Sequence, residues 1–188
     1  QLMGALALWM KNQETLRGGG LVSTVMSNLG LERLMQANDL ELIRTAVGDR
    51  YVMEHMRAHG YNLGGEQSGH LVLRDFATTG DGLLAALQVL NLIKHQDKPA
   101  SEALNMFSAL PQVLKNVTYS GESPLGTDTV RNEIEGAQKR FNGSGRVLVR
   151  ASGTEPVIRV MAEGDDSDLV GTIVNDLCEV IEKVARVG

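Results

Sequence analysis

Apolar side chains recur along the first half of the chain with a period that switches between helical and extended. A glycine triplet over 18–20, other glycines and single polar residues separate the periodic segments. The predicted elements are, in order, a helix over 1–13, a strand over 21–26, a helix capped by Asn28, a strand over 40–47, and a helix capped by Asp49 that ends at Gly60. Strands that alternate with helices predict an α/β layer structure up to about residue 95.

The pattern changes beyond residue 63. A glycine-rich stretch leads to a strand-like run over 71–75, and TTGDG (78–82) is a capping signal for an apolar helix. The elements predicted after it are a helix over 83–94, a break at 97–99, a short helix from Ser101 to Pro111, a loop over 120–128, a helix over 129–140, strands over 146–149 and 157–162, and a helix from Ser167. This order predicts a smaller α+β unit from about residue 110.

Composition and charge exclude several classes of protein. The 188 residues are 43% apolar and carry a formal net charge of −5, without the basic run that a nucleic-acid partner needs. No apolar run reaches the roughly 18 residues of a membrane span. Cys178 is the only cysteine, so no internal disulfide can form, and we predict a cytoplasmic protein. The chain has no Walker loop, HExxH, CxxC pair or GxSxG, which disfavours nucleotide hydrolysis, zinc chemistry and serine hydrolysis.

The segment RASGTEPVIR has the groups that an anionic phosphate needs. Ser152 and Thr154 supply hydroxyl donors, Gly153 leaves room for backbone amides, and Arg150 and Arg159 offer paired donors. Residues 141–160 contain three arginines and one glutamate, whereas the chain as a whole is acidic. The alternative is a hairpin loop whose hydroxyls only satisfy the turn.

A second candidate is the loop GGEQSGH. Glu66, Gln67, Ser68 and His70 combine hydrogen-bond donors and acceptors between flexible glycines, which suits sugar hydroxyls. The alternative is a polar surface loop between two strands, with His70 in a structural role.

Taken together, four motifs resemble the phosphoglucosamine mutase family of the α-D-phosphohexomutase superfamily, in order from near residue 20 to the end of the chain. These are GDRYV (48–52), GGEQSGH (64–70), TTGDG (78–82) and RASGTEPVIRVMAEG (150–164). In that family four domains surround one cleft: the first supplies a phosphoserine, the second binds Mg²⁺, the third binds the sugar and the fourth binds a phosphate. The chain resembles the third and fourth domains only, so the resemblance places the catalytic phosphoserine and the Mg²⁺ site in a preceding part of the protein.

The resemblance implies a phosphohexomutase-type α/β/α domain with the sugar loop over 1–96, a connecting segment over 97–111, and a smaller α+β phosphate-binding domain over 112–188. Glu66 and Ser68 would bind the sugar 3- and 4-hydroxyls, and Gln67 would contribute to substrate preference. The residues implied in phosphate binding are Arg150, Ser152, Gly153 and Thr154, with Arg159 reinforcing them. Further residues implied at the cleft are Asp49, Arg50 and His70, for which no proton-transfer role is expected.

The reaction implied by the resemblance is an isomerisation. The phosphoserine would donate its phosphoryl group to glucosamine 6-phosphate, and the 1,6-bisphosphate would turn over and leave glucosamine 1-phosphate. This chain would supply binding groups for the hexosamine phosphate and would be inactive without the preceding domains. Gln67 and the run Gly153–Glu155 favour this family over the phosphomannomutase/phosphoglucomutase alternative. A non-catalytic module that binds sugar phosphates is a second alternative.

Overall fold

A computed structural model describes residues 1–187 of the chain. The fold divides into two compact units, Gln1–Ala109 and Leu110–Gly188. Residues 97–109 of the predicted connecting segment 97–111 lie within the first unit, where Ala103 is buried in the core and Phe107 packs against it.

The first unit is a mixed α/β structure of five helices and four strands. Its elements in chain order are α1 (Leu2–Asn12), β1 (Gly20–Thr24), α2 (Leu29–Gln36), β2 (Glu41–Thr45), α3 (Asp49–His59), β3 (Leu63–Gly65), β4 (Leu71–Leu73), α4 (Gly82–Gln96) and α5 (Ala100–Ala103). The residue pattern predicted this class and three of the strands, but not β3, which lies in the glycine-rich stretch. Asn28 caps α2 with its side chain, and Gly60 ends α3 in the left-handed conformation that glycine favours.

The four strands form one sheet in the order β2-β1-β3-β4. β1 is parallel to both β2 and β3, and β4 is antiparallel to β3. Side chains alternate across the sheet: Leu21 faces a core shared with α1, α2 and α4, whereas Val22 faces a core formed with α3. Helices thus cover both faces, which confirms the predicted α/β/α layers of this unit.

The second unit is a three-stranded antiparallel sheet with helices on one face. Its elements are β5 (Gln112–Thr118), a 3₁₀ turn (Pro124–Gly126), α6 (Asp128–Arg140), β6 (Gly145–Ala151), β7 (Val157–Gly164) and α7 (Ser167–Val187). The strand order is β5-β7-β6, and Val147, Val149 and Val160 point toward the core formed with α6 and α7. None of the helices within residues 1–187 combines the length and apolar character needed to span a membrane.

Besides β3, three details differ from the pattern predicted by the sequence. β5 was not predicted because it is an edge strand in which only Val117 is fully buried, so it has no apolar alternation. The helix predicted from Ser101 to Pro111 ends much earlier, at Ala103. Asp49 does not cap α3, because Gly48 occupies the cap position with φ of 132°, a backbone conformation that favours glycine.

Candidate functional site

The sugar-loop residues lie at the carboxyl edge of the first sheet. β1 pairs with β2 on one side and β3 on the other. The crossover from β1 leads to β2, and the crossover from β2 leads back past β1 to β3, which creates a switch point between β1 and β3. Open α/β sheets bind ligands in the crevice beyond the carboxyl ends of strands at such points. Glu66 follows the last residue of β3 and therefore begins the loop at this edge.

The loop from Glu66 to His70 is closed on itself by backbone hydrogen bonds. Glu66 N donates to His70 O at 2.8 Å, and Gly69 N donates to Glu66 O at 3.1 Å. At its base, buried Ser23 on β1 donates through Oγ to Gly65 O at 2.7 Å. These contacts hold the loop in one conformation while Ser68, at its tip, stays exposed.

The Glu66 side chain joins two of the sequence motifs. It is half-buried, and its Oε1 accepts a hydrogen bond from Gly48 N at 3.0 Å. This fixes one oxygen of the carboxylate, and the other, which accepts no hydrogen bond from residues 1–187, can accept one from a hydroxyl donor. Gln67 is exposed and accepts a 3.5 Å contact from Thr24 Oγ1, at the carboxyl end of β1. The contact between Thr24 on β1 and Gln67 in the loop after β3 therefore bridges the switch point.

His70 lies between Asp49 of GDRYV and Gly80 of TTGDG. Its Nε2 is 3.9 Å from Asp49 Oδ2, too far for a hydrogen bond, and it is buried without a hydrogen-bond partner among the described residues. The ring packs on Gly80 of TTGDG so closely that a Cβ at position 80 would lie 2.3 Å from His70 Cε1. Gly80 is therefore required for the position of the His70 ring.

We expect Gly80→Ala to displace the His70 imidazole, because the added methyl takes the space of the ring. The displacement is measured from the imidazole NMR resonances. Gly82→Ala is the matched control, because a Cβ there meets nothing within 4 Å. Equal His70 imidazole resonances in the two variants would contradict the contact between Gly80 and the His70 ring.

Asp49 and Arg50 lie beside this loop but differ in their contacts. Asp49 begins α3, and its Oδ1 accepts from Arg50 N at 2.8 Å. The exposed Arg50 guanidinium lies 4.9 Å from the ring centre of Tyr51 and contacts Glu54 at 3.5 Å. The structure thus brings Asp49 near His70 and shows Arg50 with no contact to the loop among the described residues.

In the second unit, Arg150 and Arg159 are directly opposite each other on β6 and β7. Burial, and then the positive charge of Arg159, lower the pKa of the Arg150 guanidinium. Arg150 Nε is also buried without a hydrogen-bond partner among the described residues. Like charges at directly opposite positions are destabilising, so an anion bound between them would relieve the repulsion and satisfy a free donor.

The loop that follows β6 places further donors beside these arginines. Ser152 N donates to Val157 O at 2.7 Å and closes the hairpin, while the Thr154 amide and hydroxyl each lie 3.5 Å from Ser152 Oγ. Gly153 and Thr154 are exposed, and a Cβ at position 153 would meet nothing within 4 Å. The hydroxyls of Ser152 and Thr154 make only long, 3.5 Å contacts with each other. Small exposed residues with such hydroxyls can donate hydrogen bonds to the oxygen atoms of a phosphate.

Three residues that the sequence analysis did not propose for the site contribute to its geometry: Thr24, Gly48 and Gly80. Gly48 lies in GDRYV and Gly80 in TTGDG, so both could have been proposed for the site from their positions in these motifs. Thr24 lies inside the strand predicted over 21–26, and only the observed end of β1 places it at the carboxyl edge, where ligand-contacting residues gather.

The donor set of this chain does not fit a magnesium site. Within residues 1–187 no group of three or more His, Cys, Asp or Glu side chains lies close enough to hold a metal ion. We therefore derive no step through a metal from these residues.

Comparison with protein-family models gives two matches. Residues 1–110 match "Phosphoglucomutase/phosphomannomutase, alpha/beta/alpha domain III", and residues 97–180 match the C-terminal domain of the same family.

Curated relatives include the phosphoglucosamine mutase of Methylobacterium nodulans, which is 57% identical over 185 residues. The phosphoglucosamine mutase of Rhodospirillum rubrum is 56% identical over 189 residues. The alignments cover 98% and 99% of this chain, but only 42% of each relative. The chain thus spans less than half the length of these proteins.

Solved structures share the fold at low sequence identity. The N-acetylphosphoglucosamine mutase of Aspergillus fumigatus, solved in complex with GlcNAc-6P and magnesium, has a TM-score of 0.80 at 18% identity and covers 98% of this chain and 43% of its own. A phosphoglucomutase/phosphomannomutase family protein from Burkholderia thailandensis has a TM-score of 0.71 at 19% identity, covering 97% of this chain and 41% of its own.

Proposed function

Because the chain belongs to the phosphoglucomutase/phosphomannomutase family, we propose that it is the C-terminal portion of a phosphoglucosamine mutase. The whole protein interconverts glucosamine 6-phosphate and glucosamine 1-phosphate, and is thus an isomerase. The observation that carries the proposal is the 57% identity to a phosphoglucosamine mutase over 98% of the chain.

In this proposal the first unit binds the sugar. Glu66, with one oxygen held by Gly48 N, accepts from a sugar hydroxyl through the other, and Ser68 contacts the neighbouring hydroxyl from its exposed position at the loop tip. Gln67 lies beside them and contributes to the choice among hexoses. His70 lines the loop and has no assigned proton transfer.

The second unit binds the phosphate that is not being transferred. Arg150 and Arg159 supply the positive charge, and Ser152, Gly153 and Thr154 supply hydroxyl and amide donors. A site of this kind contacts only the phosphate, so it accepts the group on either end of the sugar. Phosphoryl transfer depends on such positioning and charge stabilisation, and this chain contributes much of the positioning.

The nucleophilic serine and the Mg²⁺ site belong, in this proposal, to the part of the protein that precedes this chain. The relatives are more than twice as long as the aligned region, and a structural neighbour was solved with magnesium. When bound, Mg²⁺ would stabilise charge on the transferred phosphoryl group. The buried free thiol of Cys178 fits a reducing compartment, and we place the enzyme in the cytoplasm.

Turnover assays of the longer protein on glucosamine 6-phosphate and mannose 6-phosphate test the proposal. We expect a clear preference for glucosamine 6-phosphate, and no turnover by the 188-residue chain alone even with glucosamine 1,6-bisphosphate present. A preference for mannose 6-phosphate would support the phosphomannomutase/phosphoglucomutase alternative. Binding of sugar phosphate by a longer protein without mutase activity would support a non-catalytic module.

A further inference from the structure

The C-terminal half of α3 carries two histidines one helical turn apart. His55 and His59 occupy positions i and i+4, which lie on the same face of a helix. Their imidazole rings are stacked, with centroids 4.1 Å apart and planes inclined by 20°. His55 is half-buried and His59 is exposed, so the pair can be reached from solvent.

A contact with the backbone fixes the tautomer of His59. Its Nδ1 lies 3.1 Å from the carbonyl oxygen of His55. Since a carbonyl oxygen can only accept, Nδ1 donates, and the neutral ring has its lone pair on Nε2. Histidines that bind metal ions usually donate their other ring N–H to a carbonyl or carboxylate oxygen in this way. Nε2 of His59, which makes no hydrogen bond within residues 1–187, is therefore oriented as a ligand atom.

Tyr61 restricts the second ring of the pair. The ring centroids of Tyr61 and His55 are 5.7 Å apart. Tyr61 is itself buried, and its hydroxyl donates to Glu41 Oε2 at 3.4 Å. A side chain held in place by its neighbours loses little conformational freedom when it binds a ligand. Both imidazoles are thus positioned by contacts that the fold already makes.

We propose that His55 and His59 together bind one divalent late transition-metal ion, of the class of Zn²⁺, Ni²⁺ and Cu²⁺. Imidazole suits these ions, whereas Mg²⁺ prefers oxygen ligands. Zinc–nitrogen bonds are about 2.0–2.1 Å long, so two nitrogens on a tetrahedral ion lie about 3.3 Å apart. Rings that are already 4.1 Å apart reach this separation by small rotations of their side chains.

The site has two protein ligands, and water fills the other positions of the ion. Within residues 1–187 no third His, Cys, Asp or Glu side chain lies close enough to complete it. Two histidines at the same i, i+4 spacing hold zinc in the HExxH helix of metalloproteases, but Met56 stands where that motif has its catalytic glutamate. We therefore assign binding and no hydrolytic activity to this pair.

Binding of the ion is expected to stabilise α3. Only the folded helix brings the two rings together, so an ion that bridges them favours the folded state. The pair also lies in the last turns of the helix, where positive charge interacts favourably with the helix dipole. The inference does not depend on the proposed function, because it uses no sugar or phosphate group.

A Ni²⁺ titration of the untagged 188-residue chain, followed by the imidazole NMR resonances, tests the proposal. The chain has four histidines, and His95 is a matched internal control. Its Nδ1 lies 2.8 Å from the carbonyl oxygen of Asn91, four positions earlier, but the ring near it is that of Trp9 rather than a second imidazole. We expect His55 and His59 to broaden at a Ni²⁺ concentration about tenfold below that for His95, because the second ligand binds at a high effective concentration.

The variants His55→Gln and His59→Gln separate chelation from binding by single rings. In each, the remaining imidazole should need as much Ni²⁺ as His95. Ni²⁺ should raise the Tm of the unaltered chain and of His95→Gln by several degrees, but not that of the other two variants. His59→Gln replaces an exposed side chain, so its result stands even if half-buried His55 contributes to folding.

Mg²⁺ at the same concentrations should leave all four imidazole resonances unchanged, which separates coordination from an effect of ionic strength. Equal broadening of His59 and His95 would overturn the inference. An unchanged Ni²⁺ midpoint for His59 in His55→Gln would overturn it as well, since it would show that the two rings bind separately.

Discussion

Replacing Arg146 with methionine is expected to destabilise the second unit by about 3–5 kcal/mol, the cost of removing one partner from a buried ion pair. Glu163 is fully buried, and its Oε1 accepts from Arg146 Nε at 2.5 Å. Its other oxygen accepts from Gln112 Nε2 at 2.9 Å. The variant keeps that second contact but leaves the carboxylate without the guanidinium. Hydrogen exchange at the β7 amides measures the effect in this unit alone.

Arg140→Met is the matched control for this prediction. Arg140 pairs with Asp176 at 2.6 Å, but both side chains are well exposed, so the expected loss is below about 1 kcal/mol. Combining Arg146→Met with Glu163→Gln is expected to restore more than half of the lost stability, because a neutral amide can stay bonded to Gln112 without a buried charge. Equal losses of stability for Arg146→Met and Arg140→Met would show that the buried ion pair contributes no more to stability than the exposed one.

Replacing Arg150 with alanine is expected to weaken binding of glucosamine 6-phosphate to the longer protein by about 1.5–3 kcal/mol, the scale of a hydrogen bond to a charged group. This corresponds to a Kd roughly 10- to 150-fold higher. The reason is the position of Arg150 opposite Arg159, with a buried Nε that has no partner among the described residues. Calorimetry measures the change.

The same variant should leave the protein as stable as before or more stable, since it removes the repulsion between Arg150 and Arg159. Loss of affinity without loss of stability separates a phosphate-binding role from a structural one. Arg131→Ala, which removes an equally charged but exposed side chain on α6, is the control and should change neither quantity. An unchanged Kd in Arg150→Ala would count against the phosphate loop.

Local signals in the sequence predicted most of the elements. The caps at Asn28 and Gly60 and the apolar face of α7 depend on residues close in the chain, so periodicity and capping chemistry were sufficient to find them. β5 was missed because it pairs with β7 about forty residues later, and the stability of an edge strand depends on that pairing rather than on its own side chains.

A count of charged residues in the second unit could not show which arginines remain without an acidic partner. Over 141–160 the sequence has three arginines against one glutamate, which indicated a positive region. The antiparallel register places Arg146 opposite Glu163, a residue outside that window, and neutralises it. The same register places Arg150 opposite Arg159 and concentrates the positive charge on that pair.

By itself, the sequence determined the α/β class, the order of most elements and the two loops that carry polar donors, because each of these depends on neighbouring residues. Only the tertiary structure decided which groups meet. It placed Gly48 N against Glu66 and Gly80 under the His70 ring, contacts between residues 10 to 18 positions apart. Such contacts are set by strand register and helix packing, which bring distant residues together independently of local periodicity.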